Sequence, residues 1–213
     1  MLFIDREDAG RQLSDKVNID DREEAVVLAL PRGGVPLGII MANTYHVPFD
    51  IILSKKIGHP FHWEYAVGAV SERGEPLFND SEVDQIDPEW VSREVLDIRE
   101  KMAQRRKTYL PFLQKQVLKE KSVIIVDDGI ATGLTMRAAV SAVREEGAKD
   151  ITVAVPVIPE DTYRELEKLV DKVIALEVPT HFLGAVGAYY TVFPQVSDEE
   201  VIRLLQSVRL FPG

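Results

Sequence analysis

Residues 123–135 read Val-Ile-Ile-Val-Asp-Asp-Gly-Ile-Ala-Thr-Gly-Leu-Thr, and this stretch decides the fold. A short aliphatic run that ends in Asp and Gly is typical of a parallel strand buried on both faces. Open α/β sheets bind their ligands beyond the carboxyl ends of such strands. We therefore predict a central strand at residues 122–127, with a ligand-binding loop directly after it.

The loop after this strand has the chemistry of a phosphate site. A helix predicted from about residue 136 to residue 146 would present its positive N-terminal end there. Asp127 and Asp128 precede the loop, and their carboxylates can accept hydrogen bonds from a vicinal diol or hold a hydrated Mg²⁺. A sugar phosphate would supply both groups. The alternative is that the two Asp residues only end the strand and cap a turn. The loop offers backbone N–H groups and two hydroxyls from Ala131, Thr132, Gly133, Leu134 and Thr135.

A second loop at residues 31–34, which we call the arginine loop, suits a diphosphate. Pro31-Arg32-Gly33-Gly34 follows a predicted buried strand at residues 25–30, which can lie beside the central strand and face the same crevice. The glycines let the backbone approach an anion closely, and Arg32 provides a fork of donors. The alternative is a tight turn with a solvated arginine.

Strand and helix patterns alternate along the chain. Predicted helices lie at 5–17, 35–45, 88–109, 136–146, 159–170 and after a capping box at 197–200; predicted strands lie at 25–30, 49–54, 122–127, 151–157 and 173–177. Residues 55–60 are predicted as a loop, and 65–71 with 76–80 as a small β excursion. The alternation predicts an α/β fold with one doubly wound parallel sheet.

Composition narrows the function classes. The 213-residue chain is long enough for one domain with a lid. A formal charge of −10 argues against a nucleic-acid partner, and the lack of cysteine excludes disulfides and thiolate metal sites. The amino terminus lacks a signal-peptide core and no apolar run reaches the length of a membrane span. We therefore expect a cytoplasmic protein with no membrane partner.

The segment 123–133 resembles the phosphoribosyl pyrophosphate (PRPP) signature of type I phosphoribosyltransferases: four aliphatics, two acids, two further positions, then Ala-Thr-Gly. The resemblance implies a Rossmann-like α/β domain spanning residues 1–213, with a mobile loop and helical insertion at about 55–120 and a C-terminal hood at about 178–213. It also implies Mg²⁺-dependent transfer of a 5-phosphoribosyl group from PRPP to a nitrogenous base, with release of pyrophosphate. A homodimer is implied as well.

The same resemblance assigns roles to single residues. The 5′-phosphate would lie on the loop after the central strand, the ribose hydroxyls on the two acids, and the pyrophosphate at the arginine loop. The acids would reach Mg²⁺ through the ribose hydroxyls or water. The implied catalytic residues are Arg32, Lys56, Asp127 and Asp128. The implied ligand-binding residues are Gly33, Gly34, Lys55, Gly129, Ala131, Thr132, Gly133, Leu134, Thr135 and Phe182.

Several interpretations stay open at this point. Lys55 and Lys56 either neutralise the leaving pyrophosphate or form a solvated strand end. Phe182 either stacks on a base or packs in the core. The basic run 105–107 either complements a helix C-terminus or contacts pyrophosphate or a partner subunit. Ala131 replaces the Asp of hypoxanthine-guanine members, so no acceptor is assigned. The rival function is a PRPP-sensing regulator of the same fold without transfer activity. The family also leads us to expect a strained or cis peptide near Arg32.

Overall fold

Helices and strands alternate through most of the chain. The computed structural model describes residues 3–79 and 83–207, without the side chains of residues 63 and 64. The helices are α1 (Arg6–Lys16), α2 (Gly34–Tyr45), α3 (Pro88–Tyr109), α4 (Leu134–Glu145), α5 (Glu160–Leu166) and α6 (Asp198–Gln206). The strands are β1 (Ala25–Ala29), β2 (Phe49–Ile51), β3 (Ser54–His59), β4 (His62–Ser71), β5 (Leu77–Phe78), β6 (Ser122–Val126), β7 (Asp150–Val157) and β8 (Lys172–Glu177).

A five-stranded parallel sheet lies at the centre, in the order β2-β1-β6-β7-β8. Its two faces bury separate groups of side chains, because alternate strand residues point to opposite sides. Leu13 of α1, Leu37 of α2 and Ile98 of α3 belong to one core, while Val140 of α4 and Leu166 of α5 belong to the other. Helices therefore cover both faces, and the predicted doubly wound sheet is confirmed.

The strand order reverses between β1 and β6, which are neighbours although about 90 residues of chain separate them. At such a switch point the two connections leave in opposite directions and open a crevice beyond the strand ends. The acidic and glycine-containing part of the segment that resembles the PRPP signature follows β6, and the arginine loop follows β1. The fold thus places both predicted loops at one edge of the sheet.

An insertion between β2 and β6 adds a small antiparallel sheet, β3-β4-β5, and the long helix α3. The β excursion and the helix at 88–109 are confirmed, and a 3₁₀ turn, Leu110–Phe112, ends the helix. The prediction of a loop at 55–60 was wrong, because residues 54–59 form β3, paired antiparallel with β4. Lys55 and Lys56 therefore lie on a strand. The described part of the insertion leaves its predicted mobility untested.

Buried ion pairs anchor α3 to the sheet. Arg106 donates to both carboxylate oxygens of Asp50, at 2.8 and 2.9 Å, and to the Ile51 carbonyl at 2.6 Å. It also lies 3.3 Å from Glu72. Burial raises the pKa of Glu72, and Arg106 opposes that shift. Arg106 is thus a buried partner of Asp50 on β2 and of Glu72, which follows β4, and not the surface complement to a helix end that its position suggested.

The remaining differences are small. The predicted strand at 49–54 ends at Ile51, and the helix predicted to reach residue 170 ends at Leu166. The serine half of the predicted capping box is present, since Ser197 Oγ accepts from the Glu200 N–H at 3.1 Å. Residue 80 of the predicted excursion and residues 208–213 of the predicted hood lie outside the described residues. Among the helices that are described, none is long and apolar enough to cross a membrane.

Candidate functional site

Two loops converge at the carboxyl ends of β1 and β6. These strands run in register, with Ala29 opposite Val126, and the Leu30 N–H donates to the Val126 carbonyl at 3.0 Å. The loop after β1 therefore lies against the loop after β6. The cis or strained peptide expected near Arg32 is also present, since the Pro31–Arg32 bond is cis.

Glycines make this close approach possible. A Cβ on Gly33 would lie 2.0 Å from Asp128 Oδ2, and one on Gly34 would lie 2.5 Å from the Val126 carbonyl oxygen. Both distances are far inside van der Waals contact. The backbone of the arginine loop thus lies directly beside the Asp128 carboxylate and the Val126–Asp127 backbone, and a side chain at either glycine would push the two loops apart.

The two carboxylates lie next to each other in a poorly solvated place. Asp127 Oδ1 accepts from the Asp128 N–H at 2.8 Å. Burial, and next the Asp128 carboxylate, raise the pKa of Asp127 well above its usual range. Burial also raises the pKa of Asp128, while Arg6 opposes that shift. Two such carboxylates favour a ligand that brings hydroxyl donors or a cation.

Arg6 is a site residue that the sequence analysis missed. Its Nε donates to Asp128 Oδ2 at 2.8 Å, with side-chain exposures of only 11% and 14%. Its Nη1 donates to the Pro194 carbonyl at 2.7 Å, and its guanidinium carbon lies 3.7 Å from the centre of the Phe193 ring. One signal was available: Arg6 lies in the first turn of a helix, where the helix dipole disfavours a cation.

Two glycines of positive φ shape the loop at residues 129–135, which we call the phosphate loop after its predicted role. Gly129 and Gly133 have φ of 152° and 73°, and a Cβ on Gly133 would lie 2.7 Å from Thr162 Cγ2. Gly133 is the N-terminal cap of α4 and has no side chain to cap it. The first N–H groups of a helix have no intrahelical partners, so this end suits an anion.

Neighbouring segments support the phosphate loop. Thr162 Oγ1 donates to the Ala131 carbonyl at 3.2 Å, and Ser54 Oγ donates to the Thr135 carbonyl at 2.9 Å. Thr132 is exposed, while Leu134 and Thr135 are half-buried. The loop is therefore tied to α5 on one side and to the start of β3 on the other.

Lys55 and Lys56 are exposed residues of β3, directly after Ser54. In the described part of the chain they form no ion pair, so both ammonium groups are available to a ligand. The structure does not place them against Asp127 or Asp128. Their proposed action on pyrophosphate stays a prediction.

Phe182 lies in the predicted hood and stacks on Tyr189, with ring centres 5.4 Å apart and planes at 23°. The Tyr189 hydroxyl in turn accepts from the Leu183 N–H at 3.0 Å. Tyr190 donates from its hydroxyl to the Asp128 carbonyl at 2.6 Å, which joins the hood to the carboxylate loop. The hood therefore reaches the site through Tyr190, and stacking of Phe182 on a base stays a prediction.

A cluster of charged groups lies beside Arg32. Its Nη1 is 3.9 Å from Asp198 Oδ2, in the first turn of α6. Arg105 Nε, from α3, is 3.7 Å from Asp198 Oδ1, and the Tyr109 hydroxyl donates to that same oxygen. Sequence analysis treated Asp198 only as part of a helix cap. A cavity of about 340 Å³ adjoins the cluster, lined by Arg6, Arg32, Gly33, Phe193, Gln195 and Val196.

The donor set fits a Mg²⁺ that arrives with substrate. Among the described residues no three His, Asp or Glu side chains are grouped so as to hold a metal. Mg²⁺ commonly keeps several waters and uses one or two carboxylates together with substrate phosphates. Asp127 and Asp128 provide that number of hard oxygen donors.

A family model and a curated relative both connect this chain with phosphoribosyl transferases. Residues 4–191 match the family model described as phosphoribosyl transferase domain. A candidate phosphoribosyl transferase of Mycobacterium tuberculosis (strain H37Rv) is 36% identical over 206 residues, which cover 96% of this chain and 46% of that protein. The chain thus spans about half the length of the curated relatives it matches.

Solved structures agree with this fold. The crystal structure of TT1426 from Thermus thermophilus matches with a TM-score of 0.83 and 38% identity, over 98% of this chain and 99% of the other. A purine phosphoribosyltransferase from Pyrococcus horikoshii matches with a TM-score of 0.46 and 19% identity, over 91% of this chain and 93% of the other. A likeness of that size does not bear on the acceptor.

Proposed function

The chain belongs to the phosphoribosyl transferase domain family, and from that premise we propose that it transfers the 5-phosphoribosyl group of PRPP to a nitrogenous base and releases pyrophosphate. One observation carries the proposal. Asp127 and Asp128 directly precede the phosphate loop, and the Asp128 carboxylate lies against the backbone of the arginine loop, so the acids lie where two anion-suited loops meet. PRPP has the same order of groups, with a ribose diol between a 5′-phosphate and a 1′-diphosphate.

The residues then have separate tasks in the reaction. The bond from C1′ to the diphosphate oxygen breaks, its electron pair leaves with pyrophosphate, and the acceptor nitrogen bonds to C1′ and loses a proton to solvent. Asp127 and Asp128 would hold the ribose hydroxyls while positive charge develops on the sugar. Arg32, with Lys55 or Lys56, would stabilise the charge on the leaving group. A substrate-borne Mg²⁺ would neutralise further charge on the diphosphate.

The acceptor class stays open within the bases. Ala131 provides no carboxylate beside the purine ring, so the mechanism of hypoxanthine-guanine members does not carry over. Tyr190, which donates to the Asp128 carbonyl, and Phe193, which lines the cavity beside Arg32, are aromatic groups in contact with the proposed site. Stacking of Phe182 on the base remains part of the proposal. Mg²⁺ dependence, a cytoplasmic location and a homodimer also belong to this proposal.

The test is release of pyrophosphate. The protein is incubated with PRPP, Mg²⁺ and single bases, namely adenine, guanine, hypoxanthine, xanthine, uracil and orotate. We expect base-dependent pyrophosphate with at least one of them, and a rate at least about tenfold lower from the Asp128→Asn variant at PRPP concentrations below saturation. PRPP binding is measured calorimetrically in parallel. Binding without turnover on any base would favour the PRPP-sensing regulator, and no binding would remove both functions.

A further inference from the structure

Arg32 shares one carboxylate with an arginine from the insertion. Asp198 receives Arg32 on one oxygen, at 3.9 Å, and Arg105 on the other, at 3.7 Å. The side chains are 26%, 46% and 38% exposed for Arg32, Arg105 and Asp198, so solvent and a ligand can reach all three. The two guanidinium groups therefore face a common anion at the edge of the arginine loop.

The position of the Asp198 carboxylate is fixed by a buried tyrosine. Tyr109 is fully buried, and its hydroxyl donates to Asp198 Oδ1. Ser197 caps the same helix end through the Glu200 N–H. Asp198 is thus fixed by α3 and by its own helix, whereas the arginines approach it only at ion-pair distance. Contacts that long are weaker than close charge-assisted hydrogen bonds, so a better anion can replace them.

We propose that Arg105 is a second arginine of the diphosphate subsite, and that Asp198 is the partner of the two guanidinium groups until a diphosphate replaces its contacts with them. The proposal rests on the function proposed above. A diphosphate offers more oxygens and more negative charge than one carboxylate. A guanidinium group can also bind two phosphate oxygens through two parallel hydrogen bonds. The role explains why the insertion helix ends beside the arginine loop, with Arg105 exposed there and Arg106 buried.

The experiment measures binding of three ligands by calorimetry in Mg²⁺ buffer: inorganic pyrophosphate, PRPP and ribose 5-phosphate. Arg105→Gln should weaken pyrophosphate and PRPP about tenfold, the scale of one charge-assisted hydrogen bond, and leave ribose 5-phosphate unchanged. Asp198→Asn should tighten pyrophosphate roughly threefold, because the competing charge is gone while the amide oxygen can still accept from Tyr109. The two variants should change pyrophosphate affinity in opposite directions if the Asp198 carboxylate competes with the ligand for the arginines.

Two variants on α3 control for net charge. Arg93 and Asp97 are exposed on the same helix, about 18 Å and 12 Å from Arg105 along the axis. Arg93→Gln matches the charge change of Arg105→Gln, and Asp97→Asn matches that of Asp198→Asn. Both should bind all three ligands as the unsubstituted protein does.

The outcomes separate the two proposals. If the unsubstituted protein binds PRPP but Arg105→Gln binds pyrophosphate equally well, the subsite is wrong and the proposed function stands. Weaker pyrophosphate binding by Asp198→Asn would overturn the role of Asp198 as a displaceable anion. If the unsubstituted protein binds neither PRPP nor pyrophosphate, the proposed function and the subsite are both wrong.

Discussion

At the scale of single residues, the site concentrates negative charge where water is scarce. Asp127 and Asp128 touch, and burial raises the pKa of each. Arg6 offsets part of this cost through its ion pair with Asp128. A ligand that brings hydroxyl donors and a cation would offset the rest. The arrangement thus trades stability of the empty protein for affinity, as functional sites often do.

Replacing Asp127 with Asn should weaken ligand binding yet stabilise the empty protein. We expect PRPP affinity to fall at least about tenfold, the scale of one or two charge-assisted hydrogen bonds, and the same for Asp128→Asn. The introduced amide keeps an oxygen for the Asp128 N–H but carries no charge. At neutral pH the melting temperature of Asp127→Asn should therefore rise by about 2–4 °C, equivalent to about 1 kcal/mol.

The pH dependence of that gain has a definite sign. The pKa of Asp127 is higher in the folded than in the unfolded protein, so folding favours its protonated form. The cost is absent below the unfolded pKa of about 3.9 and grows as pH rises toward the folded pKa. Thermal scans of both proteins between pH 4 and 8 should show curves that meet at the acid end. A gain that persists at pH 4, or unchanged PRPP affinity, would contradict this account.

Arg6 should matter for both binding and stability. Arg6→Gln leaves Asp128 without its cation, and we expect the free energy of unfolding to fall by about 2 kcal/mol and PRPP affinity by about tenfold. Arg6→Lys should recover part of the affinity, because it restores the charge without the planar stack on Phe193. Denaturant unfolding and calorimetry measure the two effects.

A matched control for Arg6 lies on the same helix. Arg11 is 70% exposed, and its ion pair among the described residues is with Glu7 one turn away, so Arg11→Gln should change neither quantity appreciably. Equal losses from Arg6→Gln and Arg11→Gln would show that the ion pair with Asp128 has no special weight.

At the scale of elements, α3 is held to the sheet by charge as well as by apolar packing. The helix buries Val91, Val95, Ile98 and Met102 at three- and four-residue spacing, and Arg106 continues the same face. A buried arginine needs buried acids, and Asp50 on β2 and Glu72 after β4 supply them. The sequence indicates this pairing, because Arg106 and Asp50 are each a charged residue within an otherwise apolar pattern.

Arg106→Met should be strongly destabilising. It leaves the buried Asp50 carboxylate without a cation, with only the backbone N–H groups of Ile51 and Gln116 as donors among the described residues, which costs about 3 kcal/mol. Adding Asp50→Asn should recover at least about 1 kcal/mol, since the uncompensated charge is then gone. Lys107→Met, at the next and exposed position, should change the free energy of unfolding by less than about 0.5 kcal/mol. Urea unfolding of the unsubstituted protein, the single variants Arg106→Met, Asp50→Asn and Lys107→Met, and the double variant gives these values. Strictly additive effects of Arg106→Met and Asp50→Asn in the double variant would refute the pairing.

At the scale of the whole molecule, the sequence predicted those parts of the site that are contiguous in the chain. The phosphate loop, the twin acids and the arginine loop are each one short run, and their strands signal a parallel sheet. Arg6 and Asp198 were missed because their partners are distant: 122 residues separate Arg6 from Asp128. Such contacts depend on how the hood and α1 fold over the crevice, which local patterns do not encode. Lys55 and Lys56 were assigned to a loop because polar, exposed strands that lie outside the main sheet lack the apolar alternation that marks a strand.

The insertion and the parallel sheet should unfold as one unit. Residues of α3 and of β1 belong to the same buried cluster, and Arg106 ties α3 to the edge of the sheet. Trp90 lies on α3 and packs against that cluster, so its fluorescence reports on the insertion once the other tryptophan is removed by Trp63→Phe. Far-UV circular dichroism reports on the whole chain. In urea the two signals of Trp63→Phe should coincide with one midpoint and one slope. An earlier fluorescence transition would mean that the insertion opens independently, and the fixed position of Arg105 beside Arg32 would then hold only in part of the population.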